Sequence, residues 1–95
     1  MRFDPEATVV TCENASIADL GDAFAILNLA SGEYFDVAGS ARTVVDMLRS
    51  GPITVAEIQD RLLAQYAVPA EQCAADLQAF LEELEQAGIV RVATV

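Results

Sequence analysis

Hydrophobic and polar positions along the chain follow two different periods, and the change falls near residue 39. Before it lie three short segments, residues 15–20, 23–29 and 33–37, each separated from the next by turn chemistry. The middle segment alternates Phe24, Ile26 and Asn28 with Ala25, Leu27 and Leu29, so both faces are largely apolar, as expected of a strand lying between neighbours. Gly21 and Asp22 suit a tight hairpin turn whose first central residue needs positive φ, and Ala30, Ser31 and Gly32 suit a three-residue loop ending in the left-handed region. These features predict an antiparallel three-stranded meander.

From residue 39 onward the period is helical. Ala41, Val44, Val45 and Leu48 follow i, i+3, i+4, i+7 spacing, and Ser50, Gly51 and Pro52 stop the first helix because proline cannot continue its ladder. Thr54, Val55, Ala56 and Glu57 form a capping box that opens a second helix, with Val55, Ile58, Leu62 and Tyr66 on its apolar face. Val68 and Pro69 interrupt that helix and start a third, over residues 70–87, whose stripe is Cys73, Leu77, Phe80, Leu81 and Leu84. Glu82, Glu83, Glu85 and Gln86 fall largely outside the stripe, and Gly88 suits the reversal just past the helix end. Residues 89–92 alternate weakly, as a last short strand would. The stretch Thr8, Val9, Val10, Thr11 and Cys12 leaves open an extended arm or a short extra strand within residues 1–14. The expected architecture is α+β and winged helix-turn-helix-like: a three-stranded meander followed by three helices, in a single domain over residues 15–95.

Composition narrows the function. At 95 residues with 54% apolar and 21% charged side chains, one core is available and disorder is disfavoured. Fifteen acidic against five basic residues give a net charge of −10, which argues against a nucleic-acid partner and leaves solubility or the steering of a basic partner as its uses. With no histidine, the chain lacks the commonest general base and metal ligand. Cys12 and Cys73 have neither metal spacing nor a nearby cation in sequence, so they read as small apolar residues in a reduced, cytoplasmic setting. The glutamates at 82, 83 and 85 read as a solvated helix face, and no phosphate-loop, dinucleotide or calcium-loop pattern occurs. The residues therefore point to no catalytic group, cofactor or metal, and no segment reads as a membrane span or signal peptide. Tyr34 and Phe35 are the informative pair: on a strand they face opposite ways, so if Phe35 enters the core, Tyr34 must occupy the other face or a groove.

Ser31-Gly32-x-Tyr34-Phe35, the run Glu33 to Val37, the three helix spacings, and Phe80-Leu81-x-x-Leu84-x-x-x-Gly88 together resemble the PqqD-like family over residues 15–92. The sequence departs from the family pattern in having Val37 and Ala38 where a leucine–asparagine pair commonly follows the third strand. It also has Val45 where the first helix often carries an aromatic. Members of this family recognise the leader segment of a ribosomally made precursor peptide and deliver it to separate modifying enzymes. The resemblance implies that a leader adds as a strand to the third strand of the meander and rests against the third helix. Carried over position by position, the peptide-binding residues are Glu33, Tyr34, Phe35, Asp36 and Val37 on the strand, and Asp76, Leu77, Phe80, Leu81, Glu83 and Leu84 on the helix. Some of these must be core; Asp76, Phe80 and Glu83, at the edge of the stripe, are the better ligand contacts, and Asp36, Asp76 and Glu83 suit basic leader side chains. The implied partners are a precursor leader peptide and a leader protease, cyclase or radical enzyme on other chains. A lasso-peptide pathway is one option, and the protein itself would be a monomer or weak dimer.

Two other classes compete. A winged-helix DNA-binding regulator would use the third helix for recognition, but residues 70–87 contain no Lys or Arg to meet phosphates. A dimeric scaffolding domain would pair the same strand edge with a second copy.

Overall fold

The period-two region folds as expected and supplies one of two small sheets. The computed structural model describes residues 3–93. Along the chain come β1 (Thr8–Thr11), β2 (Ala15–Asp19), β3 (Ala23–Asn28), β4 (Tyr34–Ala38), α1 (Ser40–Arg49), β5 (Ile53–Thr54), α2 (Val55–Gln65), α3 (Ala70–Gln86) and β6 (Val90–Val92). β2, β3 and β4 form an antiparallel meander with β3 in the middle, in registers that set Ile17 opposite Ile26 and Ile26 opposite Phe35. Gly21 and Gly32 take positive φ, 92° and 81°, in the two connecting turns. The inner face of β3 (Phe24, Ile26, Asn28) is buried, and Ala25 and Leu27 on the outer face are only half-covered.

The N-terminal stretch is a strand and belongs to the second sheet, in the order β5–β1–β6. Val9 lies opposite Ile53 on one side and Val92 on the other. Both strand partners come from far along the chain: Ile53 and Thr54 sit between Pro52 and α2, and Val90 to Val92 follow α3. Phe3, on the expected arm, is fully buried, and its carbonyl accepts a hydrogen bond from the Gln78 amide of α3. Residues 1–2 of that arm and 94–95 of the expected domain lie outside the described residues.

The helices close the core over the inner face of the meander. Val44, Val45 and Leu48 of α1, Val55, Ile58 and Leu62 of α2, and Cys73, Leu77, Leu81 and Leu84 of α3 join Phe24, Ile26 and Val37 in one apolar cluster. Each fully buried aliphatic or aromatic side chain contributes about 1.5–3 kcal/mol relative to exposure, so this cluster dominates the stability of a chain of this size. Thr54 caps α2 by accepting from Glu57 N at 3.2 Å, while the Glu57 carboxylate pairs with Arg61 one turn on. α3 ends in a Schellman turn, with Gly88 N bonded to the Glu85 carbonyl and Ile89 N to that of Leu84. Among the described residues no helix is long and apolar enough to cross a membrane.

Candidate functional site

Among the described residues β4 is an edge strand of its sheet. Asn28 N donates to the Glu33 carbonyl at 2.9 Å, which makes these two a bonded pair. Alternation along an antiparallel ladder then bonds Phe35 to Ile26 and Val37 to Phe24, and turns the main-chain N–H and C=O of Tyr34, Asp36 and Ala38 away from β3. Among the described residues β4 pairs with β3 alone, so these groups border an open edge. The side chains alternate in the other sense. Phe35 and Val37 point inward toward the helices, half-buried and buried, while Tyr34 stands 60% exposed on the outer face. There the Tyr34 hydroxyl donates to Asp36 Oδ1 at 2.7 Å, and this bond to the carboxylate raises the phenol above its ordinary pKa.

Alongside that edge runs a cleft of about 510 Å³. Phe35, Val37 and Ala38 form one wall with Glu33 and Asp36, and Phe80, Glu83, Leu84 and Ala87 of α3 form the other. Ala41 of α1 closes one end. Most of its lining is apolar, Glu33, Asp36 and Glu83 are its exposed acidic members, and no arginine is among the lining residues. Phe80 and Ala41 also line a second cavity, of about 290 Å³, between the three helices, together with Tyr66, Cys73, Asp76 and Leu77. Tyr66 and Thr43 share a hydrogen bond of 2.8 Å between their hydroxyls. Burial pushes the Cys73 thiol above its ordinary pKa, with the charge of Asp76 adding to the effect, which suppresses the reactive thiolate.

The expected contact residues thus divide. Glu33, Phe35, Asp36, Val37, Phe80, Glu83 and Leu84 meet at the first cleft. Asp76 and Leu77 belong to the second cavity, and Leu77 is buried there. Tyr34 lies on the opposite face of the sheet, and Leu81, at 0% exposure, is wholly core. Sequence reading missed Ala38, Ala41 and Ala87, whose methyl groups carry no chemical signal. It also passed over Asn28, a polar residue on an otherwise apolar strand face.

Comparison with known proteins bears on this arrangement. No curated protein matches the chain. Among solved structures, TbiB1 in complex with the TbiA(beta) leader peptide superimposes with a TM-score of 0.83 at 23% identity, covering 90% of this chain and 99% of the other. A lasso peptide synthetase B1 complexed with its leader peptide gives a TM-score of 0.76 at 23% identity, covering 87% of this chain and 96% of that one. These likenesses establish a shared fold. The family described as coenzyme PQQ synthesis protein D (PqqD) matches residues 23–90, from the central strand of the meander through α3 to the first residue of β6, and the chain is a member of that family.

Proposed function

We propose that this protein binds the leader segment of a ribosomally made precursor peptide and presents it to modifying enzymes on separate chains, without catalysis of its own. The leader adds as a fourth strand beside β4, exchanging main-chain hydrogen bonds with Tyr34, Asp36 and Ala38, while alternate side chains enter the cleft against Phe80 and Leu84. The observation that carries this reading is the coincidence of an edge strand, among the described residues, with a cleft lined mostly by apolar side chains. A free edge supplies affinity independent of sequence, and the cleft supplies selectivity. Both structural neighbours are leader-peptide complexes, which supports the class of ligand, and the lasso-peptide context of one of them favours a leader protease and a cyclase as partners over a radical enzyme.

The test is a titration of labelled peptides, the TbiA(beta) leader and extended peptides selected on this protein from a phage-displayed random library, against the purified chain. Saturable binding that is lost on Asp36→Pro with the fold intact by circular dichroism is the expected result. Saturable binding of duplex DNA at low salt, with none of peptide, would establish the winged-helix alternative. A dimer in sedimentation that peptide leaves unchanged would establish self-pairing at this edge.

A further inference from the structure

We infer that Asn28 is a positioning residue for the cleft, clamping the turn that launches β4 to the carboxyl end of α3 and thereby setting the spacing of the two walls. This role rests on the peptide-binding reading above.

Asn28 is the third inward position of β3, after Phe24 and Ile26, and at 6% exposure it is the one buried polar residue of the core among the described residues. An amide buried there is tolerable only if fully bonded. Its Oδ1 accepts from Ala30 N at 2.9 Å, Ser31 N at 3.2 Å and Asn14 Nδ2 at 2.8 Å. Its Nδ2 donates to the Ala87 carbonyl at 2.7 Å, and Asn14 Nδ2 reaches the next carbonyl, Gly88, at 3.1 Å. One half of the carboxamide therefore holds the turn between β3 and β4, and the other half grips the end of α3. Ala87, the residue gripped on α3, and Glu33, two residues past the gripped turn amides, line the same cleft.

Gly88 shows how close the approach is. A Cβ placed there would lie 2.7 Å from Asn28 Nδ2, at a φ of +76° that already disfavours a side chain. An isoleucine or leucine at 28 would continue the apolar face of β3 but would leave the Ala87 carbonyl and two turn amides without this partner. At the other end of β4 the cleft is closed by Ala41 of α1, a helix that only Gly39 separates from β4. The clamp fixes the opposite end. A cleft of set width spares an incoming peptide the cost of ordering it.

Asn28→Asp keeps the acceptor that the turn uses and removes the donor to Ala87, placing a carboxylate against a carbonyl. Gly88→Ala disturbs the same contact from the helix side, so it carries the comparison should Asn28→Asp fail to fold. Val9→Ala, in the second sheet, serves as a control that lowers stability away from the cleft. With library-selected peptides as probes, both clamp variants should bind about tenfold more weakly than wild type, the loss of one to two good hydrogen bonds' worth of organisation. Hydrogen exchange in the free protein should quicken at the β4 amides. Val9→Ala, at a comparable melting temperature, should do neither. Affinity and β4 exchange in Asn28→Asp and Gly88→Ala equal to those of Val9→Ala would overturn the inference and leave Asn28 a residue of stability alone. If no library peptide binds, or if binders ignore Asp36→Pro, the peptide-binding reading falls first and takes the clamp's functional role with it.

Discussion

The meander has two outer strands, and they are not equivalent. On β2, the bond from Leu20 N to the Ala23 carbonyl sets the alternation so that Ala15, Ile17 and Asp19 turn their main-chain groups away from β3, although the Ala15 N–H is taken by the Cys12 carbonyl at 3.1 Å. On β4 it is Tyr34, Asp36 and Ala38 that do so. By backbone alone either edge would accept a fourth strand, the β2 edge at Ile17 and Asp19. The side chains differ. Beside β4, α3 stands off far enough to leave a cleft between Phe35 and Phe80. At the end of β2, Arg42 of α1 folds in, donating to the Gly21 carbonyl at 3.0 Å, pairing with Asp19 at 3.4 Å and lying 4.3 Å from the Phe24 ring centre. Each edge carries an aspartate, but Asp19 already has a cation whereas Asp36 has a neutral phenol. An open edge is therefore only half of a peptide site; the other half is an adjoining wall and charges still available to a ligand.

The sharpest way to break this contrast is to remove one outward N–H from each edge. Asp36→Pro on β4 should lower peptide affinity about thirtyfold or more, since a donor is lost and the incoming carbonyl is left unpaired. Ile17→Pro on β2 should lower the melting temperature, because Ile17 packs on the core, while leaving affinity unchanged. Peptide titrations beside circular dichroism melts read both quantities. Equal losses of affinity would mean that the edges are interchangeable and that the cleft plays no part.

Phe80→Ala comes next. As a half-buried residue shared by both cavities, it should cost less stability than the roughly 3–5 kcal/mol of a fully buried phenylalanine, yet lower affinity about tenfold. Ile17→Ala should show the reverse balance. A Phe80 variant that loses stability in full and affinity not at all would assign that side chain to the core.

How much of this was legible beforehand depended on the sequence separation of the partners. The meander and the three helices follow from local signals: turn glycines at 21 and 32, the cap at Thr54, the reversal at Gly88. The second sheet does not. β1 finds its neighbours at Ile53 and Val92, and the two residues of β5 are too few to show any period. The same divide runs through the cleft. Phe35, Val37, Phe80 and Leu84 could be placed by periodicity and by family resemblance. That Tyr34 faces away, that Leu81 is sealed in the core, and that three alanines complete the lining depend on how α3 sits against β4, which no single stretch of chain encodes.

Charge gives a smaller effect. Glu83 is exposed on the rim, where an ion pair is worth under about 1 kcal/mol, so Glu83→Lys should change the affinity of basic peptides only a few-fold and the difference should shrink as salt is added. A salt-independent change would indicate a packing effect at the rim.

The smallest and most diagnostic effect is in titration. The Asp19 carboxyl is held below its ordinary value of 3.8 chiefly by the Gly21 N–H, with the charge of Arg42 adding to it. Because its folded value is depressed, its stabilisation is present above the ordinary value and is lost as pH falls through the lower folded one. Tyr34 is the converse case. Its phenol is raised above 10.0 by the bond to Asp36, so that contribution is complete below the ordinary value and is lost as pH rises through the higher folded one. Both groups are exposed, and both shifts should be slight. In a Tyr66→Phe background, tyrosinate absorbance should appear at lower pH in Asp36→Asn than in the parent. Bound peptide, lying beside Asp36, should move the Tyr34 titration and leave the carboxyl resonance of Asp19 where it was. A peptide that shifted Asp19 and left Tyr34 untouched would relocate the binding edge to β2, because each carboxylate reports only on the strand that carries it.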